Sequence, residues 1–75
     1  MEIYKNLDGD TGVSRYEIGS DRITVEFSTG SAYLYTYSSA GSSNIEKMKT
    51  LARDGRGLNS FINTHVKKLY EKKLR

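Results

Sequence analysis

Residues 22–37, RITVEFSTGSAYLYTY, decide the fold. Ile23, Val25 and Phe27 alternate with Arg22, Thr24 and Glu26, the period of a strand with one buried face. Tyr33, Tyr35 and Tyr37 also occupy every second position, and the turn residues Ser28, Thr29 and Gly30 separate the two runs. The length of that turn determines what the phenols face. A two-residue Thr29-Gly30 loop sets Phe27 opposite Ala32 and Val25 opposite Leu34, leaving the tyrosines beside Arg22, Thr24 and Glu26 as an exposed platform. A three-residue loop, a type I turn closed by a left-handed glycine, pairs Val25 with Tyr33 and Ile23 with Tyr35 and turns the rings into the core. One residue of slip exchanges the two faces completely. The three-residue loop is favoured, because a β-branched threonine resists positive φ and a small core needs the rings' apolar area.

Working outward, SRYEIG at 14–19 reads as a preceding strand with Tyr16 and Ile18 on one side, and SAYLYTY at 31–37 as the third of an antiparallel meander. SSAGSS at 38–43 is a polar connector. Ser43 and Glu46 fit a capping box that opens a first helix carrying Ile45, Met48, Leu51 and Ala52, which Gly55 stops. Leu58, Phe61, Ile62, Val66, Leu69 and Tyr70 form the stripe of a second, longer helix. The expectation is an α+β fold, a three-stranded antiparallel β-meander followed by two helices on one face (βββαα). It forms a single domain over 1–75, with its folded part at about 13–71 and residues 1–12 as an N-terminal extension. The predicted core is Tyr16, Ile18, Ile23, Val25, Phe27, Tyr33, Tyr35, Met48, Leu51, Leu58, Phe61, Ile62, Val66 and Leu69.

Seventy-five residues bury little surface, so each large apolar side chain matters. The chain has no cysteine, which removes disulfides and thiolate metal sites and fits a cytoplasmic location. MEIYKNLDGDTG lacks the basic start and apolar run of a signal peptide, and no segment is long enough to span a bilayer, so no membrane partner is expected. Charge is distributed unevenly. Residues 1–46 carry three basic and seven acidic side chains, a net −4; residues 47–75 carry nine basic and two acidic, a net +7. That layout steers an anionic partner to the C-terminal half.

Nothing points to an enzyme. His65, the one histidine, lies between Phe61 and Leu69 on the apolar stripe, where a packed side chain is the simpler reading than a general base. The serines sit in turns and caps. Asp8 and Asp10 in DGDTG lack the remaining ligands of a calcium loop, leaving no metal and no cofactor. The basic residues carry the functional reading. On a helix, Lys68, Lys72 and Arg75 project within roughly 60° of one another, with Lys67 further round, and Arg53 and Arg56 add cations at the glycine turn. Such a ridge suits weak, phosphate-mediated binding of nucleic acid, RNA included. The rival reading is a protein-interaction or self-associating module, monomeric or weakly homo-oligomeric, using an exposed Leu34 face and open sheet edges.

VSRYEIGSDRITVEFSTGSAYLYTY followed by GLNSFINTHVKKLY resembles the KTSC domain, a short bacterial and phage module named for the C-terminus of some lysyl-tRNA synthetases. The residues that carry the likeness, over about 13–70, are Tyr33 and Tyr35 of the Y-x-Y, the preceding Ile23, Val25 and Phe27, Gly30, Asn59, Ile62 and Tyr70. The resemblance implies a β-meander with helices and a family function that is unknown, with RNA binding suggested. Tyr33, Tyr35, Asn59 and Tyr70 are then motif positions expected in the core. Two departures stand out: SSAGSS replaces the family's Val-Pro, and the spacing around Gly55 and Gly57 is altered by a residue.

Overall fold

The turn after Phe27 has three residues. The Phe27 N–H donates to the Ser31 carbonyl at 2.7 Å, the Gly30 N–H donates to the Phe27 carbonyl at 2.9 Å, and Gly30 adopts φ 95°. Ile23 therefore pairs with Tyr35 and Val25 with Tyr33. The computed structural model of the chain describes residues 1–9 and 11–75. Its elements are β1 (Glu2–Ile3), β2 (Val13–Ile18), β3 (Arg22–Phe27), β4 (Ala32–Thr36), α1 (Tyr37–Ala40), α2 (Ser42–Asp54), α3 (Leu58–Phe61) and β5 (Lys72–Lys73). α3 runs on without a break into a wider π turn, Ile62–Val66.

Among the described residues the fold is α+β as predicted, but the antiparallel sheet has five strands rather than three, in the order β1-β2-β3-β4-β5. Both additions come from segments read otherwise. Residues 1–12 are not a mere extension: β1 pairs with β2, Tyr4 is buried, and its hydroxyl accepts from the Leu58 N–H at 3.2 Å. The Leu7 N–H donates to the Gly55 carbonyl at 2.7 Å, tying the N-terminal segment to the turn after α2. Asp8, read as part of a plain turn, accepts from the Gly57 N–H at 2.8 Å; Asp10 lies outside the described residues.

The second correction concerns the C-terminus. The helical stripe ends at Val66, and residues 67–75 turn back to lay β5 along the edge of β4. The Glu71 N–H donates to the Leu34 carbonyl at 2.6 Å and the Leu74 N–H to the Ala32 carbonyl at 2.7 Å. The pairing moves the sheet edge from β4 to a two-residue strand that carries two lysines, a form of edge that resists further pairing. Leu69, assigned to the core, is consequently 42% exposed. Leu34, assigned to an exposed face, is buried between neighbouring strands, opposite Thr24 on one side and Lys72 on the other.

β4 ends one residue earlier than its alternation suggests, because Thr36 caps a helical turn inside the supposed connector. Its hydroxyl accepts from the Ser39 N–H while the Ser39 hydroxyl accepts from the Thr36 N–H. The Ser43–Glu46 capping box is not formed. α2 starts from Gly41 with no side-chain cap, and Glu46 instead receives hydrogen bonds from Lys49 at 2.8 Å and the Tyr37 hydroxyl at 2.5 Å, which hold its carboxyl below the ordinary range. α2 does stop at Gly55, in the left-handed conformation with its N–H on the Ala52 and Leu51 carbonyls.

The helices cover the face that carries Tyr16, Ile23, Val25 and Tyr35. Ile45, Met48, Ala52, Leu58, Ile62 and Val66 complete the core. Val13 joins it through a bulge: the β2–β3 register shifts between Val13 and Arg15, bringing Val13 inside while Arg15 stays outside against Glu26 at 3.4 Å. If Tyr4 is a core residue, Tyr4→Ala lowers unfolding free energy by about 3 kcal/mol, and Tyr4→Phe, which loses only the bond from the Leu58 N–H, by about 1 kcal/mol. Urea denaturation measures both, and a neutral Tyr4→Ala would return residues 1–12 to the status of an extension.

Candidate functional site: an aromatic groove

Tyr33 and Tyr35 share the inner face of β4, but only Tyr35 lies wholly beneath the helices. Tyr33, nearer the turn, is half-buried, as is Phe27 on the strand beside it. The returning tail supplies the third wall. Tyr70 lies 4.7 Å from the Tyr33 ring centre at an interplanar angle of 58°, and 6.5 Å from that of Tyr35 at 90°. Phe27 meets Tyr33 edge-on at 5.8 Å and 75°. Such inclined contacts suit the ring quadrupoles and add to the area each ring buries.

The space left between these rings, the turn and the π turn is a groove of about 360 Å³. Ile62 lines its apolar side. Asn59, Asn63 and Lys67, at four-residue intervals along the helical segment, bring amides and an ammonium to it; Gly12, Thr29 and Ser31 form the opposite rim. Asn59 packs so tightly on Gly12 that a β-carbon there would sit 2.5 Å from the Asn59 Cγ, so glycine is what lets the two segments meet. A π turn often marks a functional position because it re-aims side chains within a helix. A second cation flanks the groove: the Lys73 Nζ stands 5.9 Å from the Tyr33 ring centre. Among the described residues none that lines the groove is acidic.

The motif positions named from sequence, Tyr33, Tyr35, Asn59 and Tyr70, thus converge on one feature, although Tyr70 is 39% exposed rather than a core residue. The basic positions do not converge. With no helix beyond Val66 there is no ridge of Lys68, Lys72 and Arg75. Lys67 lines the groove, while Lys68 lies in the exposed turn after the π segment. Lys72 falls on the opposite sheet face, paired with Leu34, and Arg75 pairs with Glu26 at 3.2 Å, also on that face. Arg53 and Arg56 are exposed around the end of α2, near the N-terminal segment. His65 is exposed rather than packed in the stripe; it stacks on Phe61 at 4.4 Å and contacts the Thr64 hydroxyl at 2.8 Å. Sequence reasoning passed over Phe27 as a site residue, Asn63 and Lys73. The interval Asn59-Asn63-Lys67 was the available signal for the amide.

No protein family, curated protein or solved structure matches the chain.

Burial, and after it the neighbouring phenols of Tyr33 and Tyr70, push Tyr35 up to about 12. The unfolded chain ionises this phenol near its ordinary value of 10, whereas the folded chain keeps the proton until about 12. Its contribution to stability is therefore complete below pH 10 and is lost as pH rises from 10 to 12. Tyr16, raised by burial and by Glu2, acts in the same direction. A near-ultraviolet absorbance titration should show a late-ionising tyrosine that Tyr35→Phe removes, together with a shallower loss of stability above pH 10. An unchanged titration in Tyr35→Phe would mean that this ring is not the shielded one.

Proposed function

We propose that the chain is a small non-catalytic binding module of the KTSC type that binds single-stranded nucleic acid, RNA included, weakly through the aromatic groove. The observation that carries the reading is the groove's composition: half-buried rings with two ammonium groups beside them and no carboxylate in the lining. Bases stack on aromatic faces whatever their identity, and lysines neutralise the backbone that follows. The convergence of Tyr33, Tyr35, Asn59 and Tyr70 supports the family reading as well, since residues distant in the chain share one feature. The interaction surface differs from a basic helix: Lys67 and Lys73 are its cations, and Arg53 and Arg56 lie outside it. A protein-binding or weakly self-associating module is the second reading, favoured by Ile3, which is 77% exposed on the edge strand β1 next to exposed Met1. The cysteine-free composition fits a reducing cytoplasm.

Binding of a short fluorescent single-stranded RNA at several salt concentrations tests the first reading. Two phosphates held by Lys67 and Lys73 give a slope of log affinity against log salt near −1.4. Lys67→Glu should weaken binding about tenfold and flatten that slope by roughly one phosphate's share, about 0.7, whereas Arg53→Glu and Arg56→Glu leave both unchanged. No binding at low salt, or equal losses from all three reversals, overturns the assignment.

A further inference from the structure

We infer that the groove is a single-nucleotide pocket, taking one base into the corner made by Tyr33, Tyr70 and Phe27 with its phosphate at Lys67. The inference rests on the nucleic-acid reading and narrows it from a strand to one residue of that strand. Ring geometry is the first reason. A sheet that stacks successive bases needs aromatic faces that lie open and side by side, but here the three rings meet at 58° and 75°. Rings in contact at such angles leave no row of parallel faces for successive bases, so a single base would lie against the open side of their corner.

Size gives the same result. About 360 Å³ lies at the low end of the roughly 300–1,000 Å³ of small-molecule sites, which is room for one base with its sugar and not for a run of bases. Polar groups are placed to match. Asn63 and Lys67, one helical turn apart, both line the groove, so an amide that can donate and accept stands beside the ammonium. The amide suits the hydrogen-bonding edge of a base, and the ammonium suits a monoanionic or dianionic phosphate.

An extended peptide is the less fitting occupant. Peptides laid beside a sheet draw most of their affinity from an open strand edge. The edge of β4 next to the groove is taken: β5 pairs along it, and the Ala32 and Leu34 carbonyls already accept from Leu74 and Glu71.

Adenosine monophosphate is the probe, with ribose 5-phosphate and adenosine as its two halves and a short single-stranded RNA as the reference, all followed by amide chemical shifts of the intact protein. The monophosphate is expected to shift amides around Gly12, Ser31, Asn63 and Lys67. Each half should bind at least tenfold more weakly, and the RNA no more than a few-fold more tightly per site. Asn63 and Lys67 are exposed, so their variants should leave the fold intact. Lys67→Ala should lower monophosphate affinity without affecting adenosine, and Asn63→Ala should lower both. If the RNA binds while the monophosphate does not, or if the monophosphate shifts only amides remote from the groove, the single-nucleotide inference falls and the broader reading stands. If neither binds, both fall.

Discussion

A single left-handed peptide determines which side of the sheet the tyrosines occupy. Gly30 at φ 95° closes the turn after Phe27 with three residues, and the pairing of Val25 with Tyr33 follows from it. With one residue fewer in the turn, Ala32, Leu34 and Thr36 would face the helices, and the phenols would line the opposite face with Thr24 and Glu26. Neither Ala32 nor Leu34 could fill the volume that the fully buried Tyr35 occupies over Ile23. The observed register gives the helices a large aromatic surface on which to pack, and burial of one such ring contributes about 1.5–3 kcal/mol. In a chain of 75 residues that is a sizeable share of the net stability.

The same register creates the demand that the C-terminus satisfies. β4 would be an edge strand carrying two tyrosines on one side, of which Tyr35 is buried and Tyr33 only half-buried. The tail answers both needs. Its backbone pairs with β4, Tyr70 meets both rings, and the Thr36 hydroxyl donates to the Glu71 carboxylate at 2.9 Å where the tail begins its return. Tyr70 of the tail and Asn59, Ile62 and Asn63 of the helical segment both border the rings, and the groove is the gap left between them.

Much of this was legible in the sequence where a local signal had no rival. Alternation over 22–27, the aversion of threonine to positive φ, and Gly55 as a helix stop led to β3, the turn and the end of α2. Failures came where a distant partner outweighed the local pattern. Leu69 and Tyr70 continue the helical stripe, and no glycine or proline interrupts it; the turn back brings partners invisible along the chain, the edge of β4 and the Tyr33 and Tyr35 rings. Val13 has the parity of the outer face and is inside because of a bulge. The Ser43 capping box was a sound motif, but Thr36 and Ser39 form a box of their own two turns earlier, and α2 then starts from Gly41, whose φ of 91° breaks the chain between the two helices. Tyr4 lay in a short segment with no strand or helix period, and its role depends on the Leu58 N–H more than fifty residues away. The candidate site was half legible: its tyrosines and Asn59 were named as a set, but the cations were placed on a helix that does not exist.

A domain this small has reason to close every aromatic side chain into its core, yet Phe27, Tyr33 and Tyr70 stay partly open around one groove while Ile23, Val25, Ile45 and Val66 are sealed nearby. Local departures of this kind, in a chain otherwise consistent from turn chemistry to packing, are where function is expected to lie. Charge placement points the same way. Glu26 is held between Arg15 and Arg75 on the other sheet face, whereas Lys67 lines the groove and Lys73 lies over the Tyr33 ring, with no carboxylate in the lining.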